Sequence, residues 1–483
     1  MNSKTPVILW FRRDLRLADH PALLAAVATG RPLLPVFVLD ETGPEQRPPG
    51  GAARWWLHES LSALAAALAG RGSRLLLRRG EATDVLCRMA AECGAAEVYC
   101  SRGYAGGAPA QEQAVAAALE RQGCRLRRFA GGLLYEPERI LTGQGRPYRV
   151  FTPFWRACLA QPAPPRPEPA PGRLAAPASW PAGEALSDWA LQPRAPDWAG
   201  GLREAWRPGE AGAMARLQAF LDADLAGYAE GRDRPDRPAT AMLSAPLSFG
   251  EISPRQVSYA VRARELTTGG GEAFLRQLGW RDFSQHLAFH WPTLPTQPWQ
   301  PAYRAFPWRR DPAALRRWQR GQTGYPLVDA GMRQLWRTGW MHNRVRMVTA
   351  SFLVKHLLLD WRLGEAWFWD TLVDADAANN AAGWQWVAGS GADASPWFRI
   401  FNPVAQARKF DPAGGYIRRW LPELAALPDR YLPAPWEAPA DTLRAAAVTL
   451  GESYPAPMVE HAMARRRALE AHAAMRAAAG EAG

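Results

Sequence analysis

The sequence predicts two architectures in one chain: a doubly wound α/β parallel sheet at the amino terminus and a large all-α region behind it. Three observations carry this. Short apolar runs alternate with Ala/Leu-rich stretches through the first 130 residues; a proline-rich segment then interrupts the pattern; beyond it the strand-like runs are gone while helical periodicity continues. A chain of 483 residues is long enough to bury more than one core.

The apolar runs VILWF (7–11), LLPVFVLD (33–40), RLLLRR (74–79) and EVYCS (97–101) suit buried parallel strands. The stretches 19–28, 52–70, 82–93 and 108–122 suit the helices that cross between them, which defines an α/β domain over 1–130. Neither GxGxxG nor a P-loop follows the first strand, so the common dinucleotide and nucleoside-triphosphate cradles are excluded. FRRDLRLADHP (11–21) stands there instead, at the strand end where open sheets usually bind ligands. Residues 131–208 read as a connector, because LAQPAPPRPEPAPGRLAAPASWPAG cannot bury a core. From 209 to 483 the segments 212–230, 253–266, 272–290, 312–320, 326–337, 340–359, 364–373 and 376–387 show helical spacing with Gly/Pro punctuation.

Composition is that of an ordinary folded chain, 48% hydrophobic and 22% charged, apart from its 23 tryptophans. The net charge of +12 rests mostly on arginine, and coding bias explains it as well as a polyanionic partner does. Cys87, Cys93, Cys100, Cys124 and Cys158 form no CxxC pair and are expected as reduced thiols. MNSKTPVILWFRRD lacks a signal-peptide pattern and no apolar run reaches membrane-spanning length, so a cytoplasmic protein without a membrane role is expected.

Four stretches carry candidate chemistry. In 338–358, Asn343, Arg346 and Met347 fall at i, i+3 and i+4 on one helix face. A solvated arginine face with a capping asparagine explains that stripe equally well. DADAANNAAGWQWVAG (374–389) packs Asp374, Asp376, Asn380, Trp384 and Trp386 together but offers no histidine or cysteine for a metal. Asp376, Asn380 and Trp384 repeat there at i, i+4 and i+8; a helix dipole accounts for Asp376 and leaves Asn380 unexplained. YAEGRDRPDRPATAMLSAPLSFGEISPRQ (228–256) supplies Tyr228, Arg232, Thr240 and Ser244, a set able to hold a phosphate without a P-loop, though a turn-rich connector has the same composition. FLRQLGWRDFSQHLAFHWP (274–292) carries Gln277 and Trp280 on a helix.

Together these stretches resemble the photolyase/cryptochrome family over almost the whole chain. WFRRDLRLADHPAL resembles the family's opening; TGYPLVDAGMRQLWRTGWMHNRVRMVTASFLVK and DADAANNAAGWQWVAGSGADASPWFRIFNP resemble its flavin-binding core. The resemblance implies FAD folded into a U in the helical region, surrounded by Asp374, Asp376, Asn380 and Trp384. It implies Tyr228, Arg232, Thr240 and Ser244 along the diphosphate, Arg346 paired with Asp374, and Asn380 facing flavin N5. Trp384, Trp361 and Trp308 would be an electron-hopping chain. The activity implied is light-driven splitting of cyclobutane pyrimidine dimers in DNA, with the lesion flipped out of the stack. Trp280 and Trp386 would stack on it, Gln277, Asn343 and Met347 would touch it, and Arg344 and Arg399 would take phosphates.

Two departures stand out. Gln277 occupies a position where the best-studied dimer enzymes carry glutamate, keeping hydrogen bonds but losing the charge. SRGYAGGAPAQEQ (101–113) lacks the residues that hold folate in one branch, so an antenna chromophore, folate or another, stays unassigned. Asn343 and Met347 stand where the (6-4) branch has histidines. Asn380 and the short stretch after RRWLPEL set the chain apart from cryptochrome photoreceptors, although VDAGMRQLW and FWDTLVDAD resemble plant cryptochromes. A cryptochrome-type blue-light photoreceptor is therefore the second reading. The expected partner is dimer-containing DNA, met by a monomer with no obligate protein partner.

Overall fold

A computed structural model describes residues 5–41, 47–264, 269–393 and 398–480. The sheet strands are β1 (Val7–Phe11), β2 (Leu33–Leu39), β3 (Leu76–Arg79), β4 (Glu97–Ser101) and β5 (Arg125–Phe129). The helices between them are α1 (Pro21–Ala28), α2 (Gly51–Ala69), α3 (Ala82–Cys93) and α4 (Ala108–Glu120). All pairings are parallel in the order β3-β2-β1-β4-β5, with Val7 opposite both Leu33 and Glu97. The order reverses between β1 and β4. β1 is buried at all five positions, as a central parallel strand requires. Its Ile8 and Trp10 join Val36, Val98, Leu86, Met89, Val115 and Leu119 in one core.

Strand β5, RLRRF, has no counterpart among the predicted runs. It is an edge strand whose three arginines are partly or fully exposed, so it lacks the apolar run that reveals a central strand. The arginines and acids of FRRDLRLADHP are mostly spent on the fold. Arg12 binds Glu112 (2.5 Å) and the Ser101 carbonyl, Asp14 binds His20 (2.9 Å), and Arg16 donates to the carbonyls of Asp19 and Gly250. Asp19, fully buried, is held by Arg255 and Ser253. The proline-rich stretch runs extended along this part of the molecule: Leu33 N–H donates to the Ala175 carbonyl and Glu184 N–H to that of Leu77.

The later helices are α5 (Phe151–Leu159), α6 (Gly200–Ala205), α7 (Glu210–Ala223), α8 (Tyr228–Gly231), α9 (Ser244–Phe249), α10 (Pro254–Arg262), α11 (Gly270–His290), α12 (Pro312–Gln319) and α13 (Pro326–Thr338). They continue as α14 (Asn343–Ser351), α15 (Trp361–Thr371), α16 (Ala377–Ala388), α17 (Pro403–Phe410), α18 (Gly415–Trp420), α19 (Ala440–Ala445) and α20 (His461–Ala478). The helix expected over 340–359 starts later because His342 caps α14, its Nδ1 accepting from Arg344 N–H. It ends in a π-helical turn, Phe352–His356. The stretch 212–230 is two helices, the chain turning where Leu225 N–H bonds back to the Phe220 carbonyl.

The chain divides into two compact units: residues 1–226, 241–292 and 373–378 form one; 227–240, 293–372 and 379–483 form the other. In the second, buried Asp329 accepts from Thr323 N–H and Oγ1, Gly324 N–H and Tyr454 Oη, all within 2.9 Å, which fixes the carboxyl-terminal segment. Such full satisfaction is what makes a buried carboxylate tolerable. The five cysteines are free thiols, and among the described residues no helix is long and apolar enough to cross a membrane and no acid/His/Cys cluster could hold a metal.

Candidate functional site

Helix α15 starts at Asp360, whose carboxylate caps Arg362 N–H at 2.9 Å. From there Trp361, Gly364, Glu365 and Phe368 follow at i, i+3, i+4 and i+7, a single face. That face meets α16. Asn380 Nδ2 donates to Glu365 Oε1 at 2.7 Å and to the Glu365 carbonyl at 3.0 Å. One turn later, buried Trp384 lies edge-on to Phe368 (5.0 Å) and to Trp318 (6.2 Å). A Cβ on Gly364 would sit 2.1 Å from Trp384 Cη2, so only glycine admits this indole. The next residue, Gln385, pins the 294–299 loop by donating to the Leu294 and Gln297 carbonyls and accepting from Trp299 N–H. Trp386 points elsewhere and lies 5.9 Å beneath the exposed Arg399 guanidinium.

Both protons of the Asn380 NH₂ are committed to Glu365, which leaves Oδ1 as the atom able to accept from a third group. Trp384 Nε1 is buried with no hydrogen-bond partner, an unusual state for an indole in a packed core. Trp361 is buried under its neighbour Arg362. The strand-like contact Arg309 N–H to Leu358 carbonyl (2.8 Å) lays the Trp308 segment beside the approach to Trp361.

The 227–240 segment holds Tyr228, buried and 5.8 Å from the Arg232 guanidinium, with burial pushing its phenol up. Thr240 is half-buried. Arg344, expected on a DNA phosphate, is tied to Asp233 at 2.8 Å and lies 4.4 Å over Phe410. Arg346 donates Nε to the Met341 carbonyl (2.7 Å), and Asn343 is exposed with Nδ2 4.0 Å from Met347 Sδ. The stripe seen in the sequence is thus a real face.

In the other unit, Asp376 receives two bonds from Gln285 Nε2, at 3.1 and 3.0 Å. Asp374 is buried and Ser244 is exposed at the start of α9. Trp280 stacks face to face on Phe151 at 3.7 Å, and Gly279 lets Trp155 come close behind it. Gln277 lies one turn earlier on α11 and donates to the Ala273 carbonyl.

A family model described as the FAD binding domain of DNA photolyase matches residues 274–474, and one described as DNA photolyase matches residues 7–171. The chain belongs to the DNA photolyase family. It is 51% identical, over 99% of both chains, to the deoxyribodipyrimidine photo-lyase of Agrobacterium fabrum. It is also 37% identical to Cryptochrome-1 of Arabidopsis thaliana, covering 96% of this chain and 70% of that one. A solved bacterial class III photolyase from Agrobacterium tumefaciens shares 50% identity and a TM-score of 0.95, over 99% of this chain and 98% of that one.

Photolyase-family chains of this kind bind FAD, and the donor set here fits it. Asn380 Oδ1 suits a ring N–H, and the unpartnered Trp384 Nε1–H suits an acceptor atom on a bound group. Four residues at these places escape a reading by motif: Glu365, Gly364, Gln285 and Phe151. The W-x-x-G-E-x-x-F stripe of α15 was the available signal for the first two. Gln285 and Phe151 gave none, because their partners are remote in sequence.

Proposed function

We propose that this chain is a deoxyribodipyrimidine photolyase, splitting cyclobutane pyrimidine dimers in DNA with blue light. The observation that supports it best is the Glu365–Asn380 clamp one turn from a buried, unpartnered Trp384, in a chain half-identical to a photo-lyase along its whole length. FAD, when bound, supplies the light absorption and the low-potential electron that reach the lesion. Everything else falls to the protein.

Tyr228, Arg232, Thr240 and Ser244 would hold the diphosphate, and Arg346, Asp374 and Asp376 the remainder of the cofactor. Asn380 would keep Oδ1 toward the ring, since reversing the amide would set oxygen against the Glu365 carboxylate. A neutral amide neither gives nor takes a proton there. Trp308, Trp361 and Trp384 would pass electrons inward from the surface. Trp280 and Trp386 would stack on the extruded bases, with Gln277, Asn343 and Met347 at their edges. Arg399 would meet the backbone; Arg344, paired with Asp233, would act on it through that pair. The protein would work as a cytoplasmic monomer with no obligate protein partner.

The test is light-dependent repair of an oligonucleotide carrying one thymine dimer by the purified, pre-reduced protein. Absence of repair with a correctly bound flavin refutes the reading. In that event the likeness to Cryptochrome-1 makes a blue-light photoreceptor the reading to pursue.

A further inference from the structure

Trp280 has one face already taken. Phe151 stacks on it with 3.7 Å between ring centres and 8° between planes. Aromatic pairs free to choose settle offset or edge-to-face at about 4.5–7 Å, so this overlap is imposed by the surroundings. Phe151 is the first residue of α5, and Pro153 stiffens that turn at a position where no N–H is needed. It is 1% exposed. Trp155, one turn further along α5, lies parallel to it at 6.4 Å. Phe283 meets Phe151 at 72° and Trp280 at 77°. The Arg276 guanidinium lies 5.0 Å from the Phe151 ring centre.

The backbone that carries Trp280 is held just as firmly. A Cβ on Gly279 would lie 2.5 Å from the Trp155 ring, so glycine lets α11 press against α5 at this point. Arg281 Nη1 donates to the Gly132 carbonyl at 2.8 Å. Buried Asp282 accepts from the N–H groups of Leu134 and Tyr135 at 2.8 and 3.3 Å. Each residue of the run 279–282 is thus fixed by a segment remote in sequence. Trp280 itself stays partly exposed. With Phe151 on one face, the face left to a ligand is the opposite one.

We propose that Phe151 is a positioning residue for the lesion: it holds the Trp280 indole in the plane that an extruded base meets and leaves one face for it. The inference rests on the reading of Trp280 as a wall of the lesion site. An indole free to turn about its side-chain bonds loses that freedom when a base stacks on it, and the ordering weakens binding. Here the ordering takes place on folding, with the burial of Phe151, so the base receives the full stacking contribution. Undamaged DNA keeps its bases in the duplex and gains nothing from this; backbone contacts set its affinity. Phe151 thereby widens the gap between damaged and intact DNA without touching either.

The experiment is equilibrium binding in the dark to an oligonucleotide with one thymine dimer and to its undamaged twin, at one salt concentration. The proteins are FAD-loaded wild type, Phe151→Leu, Trp280→Ala and the double variant. Trp280→Ala should weaken dimer binding by about one to two factors of ten. Phe151→Leu should weaken it about three- to tenfold, the cost of ordering one side chain at an interface, and Phe151→Met should do the same. Binding to the undamaged twin should hold in every variant. In repair by pre-reduced enzyme the Phe151→Leu loss should fall on KM rather than kcat. In the Trp280→Ala background Phe151→Leu should have no further effect, a result that general loosening of the fold would not give. Full dimer affinity in Phe151→Leu and Phe151→Met beside a weakened Trp280→Ala overturns the proposal. So does a loss that persists in the double variant or appears on undamaged DNA. An unchanged Trp280→Ala removes Trp280 from the lesion site and the proposal with it, while repair of the dimer by wild type separately upholds the activity.

Discussion

Replacing Asn380 by aspartate turns a neutral clamp into a pair of carboxylates. In the native protein the amide nitrogen is 2.7 Å from Glu365 Oε1, so the new oxygen would take that place. Two negative charges at that distance repel by about 6 kcal/mol at an effective dielectric of about 20, equivalent to about 4 pH units. The pair therefore keeps one proton to about pH 8 in the folded state, whereas unfolded carboxyl groups lose theirs near pH 4. The folded form then binds more protons than the unfolded one across that window, so stability falls as pH rises through it. Asn380→Asp should match wild type at pH 4 and fall behind it progressively to about pH 8. The double variant with Glu365→Gln should abolish that slope. Thermal unfolding of the three proteins from pH 4 to 9 reads it directly. Spectra taken during photoreduction should also shift, because the shared proton lies where the amide had none to offer. A stability difference that is flat with pH would show that Glu365 does not face the new carboxylate, and the amide's assigned orientation would fall with it.

Three further outcomes are expected. Trp384→Phe should block photoreduction of oxidised flavin with an external reductant, yet leave dimer repair by chemically pre-reduced enzyme largely intact; normal photoreduction would remove Trp384 from the path. Trp386→Ala should weaken binding to dimer-containing DNA by about one to two factors of ten, because stacking is worth roughly 1–3 kcal/mol per base. Binding to intact DNA at the same salt should barely change, and (6-4) photoproducts should go unrepaired; an equal loss on both DNAs refutes the stacking role. Lys355 is 1% exposed in the π-helical turn after α14, and burial pushes its ammonium far below the ordinary range; Lys355→Met should reveal this by linkage. The lowered folded pKa means that the unfolded chain binds the extra proton, so wild type gains on the variant as pH rises toward the ordinary lysine value, by up to about 1.4 kcal/mol per pH unit. Parallel stability curves would mean the ammonium is retained on burial.

Much of the fold was legible because burial writes a period into the sequence. VILWF and EVYCS are strands at the expected residues, and the first four crossover helices agree to within two residues at either end. RLRRF was not legible, since an edge strand with solvated arginines carries no apolar run. FRRDLRLADHP was hard to read for the opposite reason: its charges look like a ligand site, and most of them satisfy one another and nearby carbonyls. The candidate site divides the same way. Local spacing placed Asn343 beside Met347, and Asn380 one turn before Trp384 on the same helix. No local spacing could show that Asn380 is held by Glu365, fifteen positions away, or that Asp376 is met by Gln285. Residues 394–397 of the DADAANN…FNP motif lie outside the described residues.

The sheet-bearing unit is assembled from three separated stretches, the last being only 373–378. That short piece supplies Asp376 to Gln285 and the Ala375 carbonyl to Ser248. During synthesis it emerges about 150 residues after position 226, a delay of roughly 8–30 s at about 5–20 residues per second. For that interval the amino-terminal strands exist, but the unit lacks its closing strap. Birth of the protein is therefore not sequential domain by domain. A ribosome stalled before 373 should present an amino-terminal half open to protease, and one stalled well beyond 378 should present it closed.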